Sequence, residues 1–269
     1  MFLLNVVWLF LVPDTFHVHV PSACRIHNTT FKQGGCGACS AFALSTAASM
    51  HLCLENGIDR IPSPYRLFDC SGGRCARGGS SVKSLYPSIG VGDLRDSPRQ
   101  FGLPCPAYNR STIDTISEPY MLMGEQEIKA SMVLTGKPVI GVIDGDLWRD
   151  ISTGIYVRIK GLSQHALVIV GWGSTPYHYW VVKNSWGESW GDGVNGQGRI
   201  HTSSMFHALD LTGIGLTSYR LELIFVSLFG IVVPVITMVF ILVANYREWR
   251  GKVQLAPGYH ELAQFEGVL

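Results

Sequence analysis

The chain has 269 residues, 47% of them hydrophobic, which is enough for a substantial buried core and excludes disorder as the starting assumption. Lysine and arginine total 21 against 20 acidic residues, so the net charge of +1 offers no cationic excess for a polyanion and no nucleic-acid partner is expected. The seven cysteines stand at 24, 36, 39, 53, 70, 75 and 105, and an odd count in an oxidising compartment leaves one thiol free or paired outside the chain. Two sequons, Asn28-Thr29-Thr30 and Asn109-Arg110-Ser111, fit such a compartment and mark Asn28 and Asn109 as candidate glycosylation sites.

In chain order, residues 1–11 are almost wholly apolar and read either as the hydrophobic region of a signal peptide or as the remnant of a longer N-terminus. Ser40–Leu54 is rich in Ala and Leu, lacks Gly and Pro and is apolar nearly all round, which predicts a buried helix ending at Asn56-Gly57. From about Asp59 to Ser117, frequent Pro, Gly and Ser predict loops and short helices held by disulfides. Val139–Ile143, Ala166–Val170 and Tyr179–Val182 are β-branched or aromatic runs between turn signals and predict strands. A helix-rich half followed by a strand-rich half indicates an α+β fold with a cleft between two lobes.

Residues 211–222 read as a juxtamembrane linker, and Leu223–Ala244 contains no ionisable group over a length that spans a bilayer as one helix. Pro234 is tolerated in such a helix, because local adjustment re-satisfies the carbonyl it frees. Arg247, Arg250 and Lys252 follow at once, so the positive-inside bias puts residues 245–269 in the cytosol and the N-terminal part in the lumen or outside.

The chemistry centres on Gln33-Gly34-Gly35-Cys36-Gly37-Ala38-Cys39. Cys39 directly precedes the buried helix, where unpaired backbone amides favour a thiolate. A zinc or redox role for Cys36-x-x-Cys39 lacks a second ligand pair, and no metal or other cofactor is expected. His165 opens an apolar strand, and Tyr179–Trp186 can pair with that strand as a hairpin, bringing Asn184 beside the imidazole. An amide oxygen on one ring nitrogen leaves the other facing the sulfur, a Cys-His-Asn arrangement in which His165 takes the thiol proton and returns it to a leaving amine.

These residues resemble the papain-like cysteine peptidases, over roughly residues 12–200. The resemblance implies a two-lobed papain-like fold, a helical lobe plus a strand-rich, β-barrel-like lobe over residues 12–210, followed by the membrane helix. It also implies roles for individual residues. Gln33 would join the Cys39 N–H as oxyanion donor. Trp186, in Asn184-Ser185-Trp186-Gly187, would shield the His-Asn bond from water. Gly78 and Gly79 would bond substrate backbone. Val12-Pro13-Asp14 and the spacing of Cys24, Cys36, Cys39 and Cys53 look like the cathepsin B-type branch, which implies bridges Cys24–Cys53, Cys36–Cys75 and Cys70–Cys105 with Cys39 free.

The chain departs from the family pattern in several places. Ser40 stands where the family has an aromatic residue, one residue is inserted in Cys75-Ala76-Arg77-Gly78-Gly79, and Gly193–Ile200 looks long for the closing strand. No pro-segment is read before residue 12, which leaves an incomplete N-terminus or a different mode of control open. No histidine lies between His51 and His165, so the histidine-bearing occluding loop of cathepsin B is absent and endopeptidase action is favoured. The expected activity is peptide-bond hydrolysis on protein or peptide substrates in an acidic endolysosomal lumen. The rivals are a catalytically silent membrane-tethered binding protein and a thiol-dependent acyl transferase. In the tail, Tyr259 and Leu262 resemble a tyrosine-based sorting signal, for which a clathrin adaptor is the expected contact.

Overall fold

The computed structural model describes residues 12–77, 85, 92–105, 120–149, 154–192, 195–202, 212–215, 238 and 241–243. Two compact units divide the chain, residues 1–218 and 219–269. Residues 1–11, Gly78, Gly79, Asn109, Tyr259, Leu262 and most of the expected membrane span lie outside the described residues. Within that span, Met238 and 241–243 are helical, and their side chains are 47–62% exposed. No helix among the described residues is long and apolar enough to cross a membrane.

The first unit opens with a short strand, β1 (Phe16–His17), and a helical turn, α1 (Arg25–Asn28), and then enters the central helix, α2 (Cys39–Asn56). Every residue from Ala41 to Leu52 in α2 is buried, so the helix has no solvent face, as its all-round apolar composition requires. Burying side chains such as Phe42, Leu44 and Leu52 contributes about 1.5–3 kcal/mol each. The hydroxyls carried inside are satisfied locally: Ser45 Oγ donates to Pro62 O at 2.5 Å and Ser49 Oγ to Ser45 O at 2.6 Å. Gly57 ends the helix in the left-handed region at φ 64°, with its N–H on Cys53 O and the Ile58 N–H on Leu52 O.

Around α2, the described residues of the helical lobe include α3 (Pro64–Cys70) and a 3-10 turn at Cys75–Arg77. Three disulfides staple it, Cys24–Cys53, Cys36–Cys75 and Cys70–Cys105, the pairs that the family resemblance implies. Polar nodes reinforce them. Asp69 accepts from Gly102 N and Leu103 N, and Arg66 donates to Pro104 O, so the segment ending at Cys105 is fixed to α3. Arg25 bridges Asp59 at 2.9 Å and Asp93 at 2.8 Å, and Asp93 also accepts from Ile61 N.

The second lobe is a seven-stranded sheet with β2 (Tyr120–Met123), β3 (Val139–Arg149), β4 (Tyr156–Gly173), β5 (Tyr179–Lys183), β6 (Gln197–His201) and β7 (Thr212–Gly215); helix α4 (Gly124–Thr135) follows β2. The order is β2-β7-β3-β4-β5-β6, with β1 paired to β4 off this path. β7 falls within the stretch expected to be linker; it lies between β2 and β3, with Thr212 opposite both Met123 and Val142. β1 comes so close to β4 that a Cβ on Gly171 would collide with Phe16 O, while Phe16 stacks on Trp172 at 4.8 Å.

The lobes meet at His51, which is 1% exposed and donates through Nε2 to Pro138 O at 3.0 Å. Beside it Lys137 and Glu55 form an ion pair at 2.8 Å and exert opposing Coulomb effects on the ring. Burial dominates and holds the imidazole down to about 4. The unfolded chain therefore takes a proton that the folded chain refuses, and stability falls as pH drops from about 6.5 towards 4. Lys183, lowered to about 8 by burial, carries a cost while charged that is relieved only above about pH 8, where stability rises with pH, so it adds no slope in acid. Between pH 7 and 4.5 the loss assigned to His51 is about 2 kcal/mol. His51→Gln keeps a donor for Pro138 O, and urea unfolding should show that much less acid destabilisation in the variant; equal acid slopes would remove His51 as the cause.

Candidate active site

Cys39 is the first residue of α2, and Ala38 precedes it with no side-chain cap; the Ala41 N–H turns back to Ala38 O at 2.9 Å, which leaves the Ser40 amide to face the sulfur. It is the one free cysteine and is half-buried. Burial pushes its thiol up, but a hydrogen bond and charge from His165, then the N–H groups of Ala166 and Ser40, more than offset this and hold it below the ordinary thiol range. The helix end thus contributes through one amide, that of Ser40, and His165 is the larger influence.

His165 lies in β4 opposite Ile143 of β3 and is 8% exposed. β4 and β5 pair antiparallel with Val168 opposite Lys183, which carries Asn184 back to the imidazole. His165 Nε2 donates to Asn184 Oδ1 at 2.8 Å, and that oxygen also accepts from Ser185 N at 2.8 Å. With Nε2 occupied, Nδ1 is the nitrogen left for Cys39. Trp186 covers the pair, its ring centroid 4.6 Å from the His165 ring. Trp190 packs edge-on against Trp186 at 5.8 Å, and Tyr156 lies 4.7 Å behind Trp190.

Gln33 stands on the opposite segment. Phe31–Gln33 and Ser185–Gly187 pair as a short bridge, through Gln33 N–H to Ser185 O at 2.9 Å and Gly187 N–H to Phe31 O at 2.8 Å. Within it the Gln33 amide is held at both ends: Oε1 accepts from Ser185 Oγ at 2.5 Å, and Nε2 donates to Cys36 O at 2.9 Å. One Nε2 hydrogen remains for an oxyanion. The sequence reading gave Ser185 no role, although its place between Asn184 and Trp186 was the available signal. Ser40 is half-buried, and nothing described here replaces the aromatic ring that the family carries at that position. Asn28 is exposed.

Comparison with known proteins agrees with this geometry. The family model for papain family cysteine protease matches residues 12–207, and the chain belongs to that family. It is 29% identical over 204 residues to a viral cathepsin of Adoxophyes honmai nucleopolyhedrovirus, covering 70% of this chain and 59% of that one. It is 30% identical over 185 residues to human (Homo sapiens) cathepsin O, covering 63% of this chain and 56% of the relative. The chain therefore spans less than two thirds of either relative. Among solved structures, proCathepsin B S9 from Trypanosoma congolense superposes with a TM-score of 0.59 at 22% identity over 78% of each chain, a likeness of fold alone.

The hydrogen bonds rank the residues. Asn184→Ala should lower kcat/KM by less than the about 10²–10⁴ that loss of a proton-transfer group costs, because the imidazole still reaches the sulfur. Ser185→Ala should lower kcat with little change in KM, by less than the about 10²–10³ of losing an oxyanion donor outright. His165→Ala should move the acid limb of Cys39 alkylation to higher pH, since the main influence lowering the thiol is removed. An unchanged limb in His165→Ala contradicts this account of the thiol.

Proposed function

We propose that the chain is an active peptidase that cleaves inside polypeptides, with its catalytic lobe pair held on the lumenal face of an acidic compartment by residues 223–244. The observation that carries the reading is the His165–Asn184 bond beside a free, acidified Cys39. The Cys39 sulfur attacks the scissile carbonyl and forms a C–S bond, while the carbonyl oxygen takes up negative charge against the Cys39 N–H and the Gln33 amide. His165 then gives its proton to the departing amine as the C–N bond breaks. Water, deprotonated by the same ring, hydrolyses the thioester and restores the thiol.

Endopeptidase action is supported by the absence of any histidine between His51 and His165 to cap the cleft. The cathepsin B-like branch is supported by the Cys24–Cys53 bridge. A secretory-pathway location is supported by the three bridges, which form and persist in oxidising compartments. The membrane anchor is supported by the uncharged 223–244 stretch, the basic residues after it and the exposed apolar side chains at 238 and 241–243. Tyr259 and Leu262 would then direct the protein through an adaptor.

Internally quenched peptides blocked at both ends should be cut by the wild-type chain and left intact by Cys39→Ala. Cutting only from a free C-terminus would replace the endopeptidase reading, and no cutting of any peptide would favour a silent binding protein. Tyr259→Ala should shift the protein from endolysosomes to the cell surface in imaging; unchanged delivery removes the tail as the address.

A further inference from the structure

Apart from the catalytic cleft, the helical lobe holds a cavity of about 410 Å³, within the range of about 300–1,000 Å³ typical of ligand pockets. Ile61 and Leu94, 1% and 5% exposed, form an apolar part of its wall; Arg25, Arg95 and Arg99 supply guanidinium groups, and Asn28 also lines it. Asn28 is exposed at the end of α1, and its Oδ1 meets Asn195 Nδ2 at 3.5 Å. Asn28 is also the acceptor of an Asn-Thr-Thr sequon.

We infer that Asn28 carries an N-linked glycan and that this cavity is the seat of its innermost N-acetylglucosamine. Arg25 is spent on Asp59 and Asp93, and Arg95 contacts Asp93 at 3.3 Å, so two of the three guanidinium groups are already paired with carboxylates. What remains is a set of N–H donors beside an aliphatic wall. Hydroxyl and acetamide oxygens accept from the first, and the C–H face of a pyranose covers the second. A sugar attached to the wall of its own pocket also enters at high effective concentration, so a weak seat is enough.

The attachment precedes folding, because Thr30 Oγ1, the sequon hydroxyl, is buried in the folded chain, with no hydrogen-bond partner among the described residues. In the transfer, the Asn28 Nδ2 forms a bond to the anomeric carbon of a polyprenyl-pyrophosphate-linked oligosaccharide. The anomeric C–O bond breaks, the polyprenyl pyrophosphate leaves with that electron pair, and the Nδ2 proton passes to a base of the transferase.

This inference rests on the secretory-pathway reading above, and one experiment separates the two. The full chain is produced in a eukaryotic secretory host, the six bridging cysteines are mapped, and Asn28 occupancy is read by mass spectrometry after glycosidase treatment in heavy-oxygen water. Occupancy is expected in the wild type and its loss in Asn28→Gln and Thr30→Ala. Native glycoprotein should release the sugar to glycosidase more slowly than the urea-unfolded form. Arg99→Ser should speed native release about tenfold, since the enzyme acts on the unseated fraction alone. Unmodified Asn28 in a chain whose three bridges have formed overturns the inference and leaves the location standing. Equal native and unfolded release rates, or no acceleration in Arg99→Ser, overturn the seat. Six reduced cysteines in the mature protein overturn the location and the glycan together.

Discussion

The hydrogen bond from His165 Nε2 to Asn184 Oδ1, 2.8 Å long and covered by Trp186, decides which imidazole nitrogen is left for Cys39. Much of the molecule serves to keep it. The β4–β5 register brings Asn184 back to His165, the Ser185 N–H fixes the amide oxygen, and the Trp186–Trp190–Tyr156 stack packs behind it. The same short segment grips the other lobe. Ser185 holds Gln33 by main chain and side chain, so the imidazole and the Gln33 amide, the proposed base and oxyanion donor, are set by adjacent residues of one turn. Local stiffness at 184–187 therefore carries over to both halves of the reaction.

Packing sets a second constraint that pulls against the first. Cys39 is positioned because α2 is buried on all sides, and a helix buried on all sides carries His51 into a place where it cannot be hydrated. The lobe junction at Pro138 is bonded while the imidazole is neutral and loses stability when acid would charge it. A thiol peptidase delivered to an acidic lumen would thus work in a narrowing window.

What the sequence made legible was what local chemistry dictates. The Ala- and Leu-rich run with Gly57 behind it marked α2 to within two residues at either end, and the β-branched runs marked the cores of β3, β4 and β5. The strand ends were harder to see. β3 continues through Asp144, Asp146 and Arg149 because β4 pairs with it, and charged residues in a hairpin of that length hide the apolar pattern. Helix α4 buries little beyond Ile128, Ala130, Ser131 and Met132 and gives a weak signal. β7 looked like linker because a four-residue strand takes its stability from its neighbours β2 and β3 rather than from its own residues. The candidate site was legible as a set of residue types in order. The role of Ser185 was not, because it depends on Gln33, 152 positions away in the chain.

The account makes Cys39 a nucleophile prepared by His165 and approached by an extended peptide, and one measurement addresses all three parts. The purified chain is incubated with a peptidyl epoxide, and the modified residue and its stoichiometry are read from intact mass and peptide maps. One adduct per chain at Cys39, formed far faster than with the same epoxide lacking its peptide and much more slowly at neutral pH in His165→Ala, is the predicted result. No adduct at Cys39, or labelling at equal rate with and without the peptide, would contradict the account.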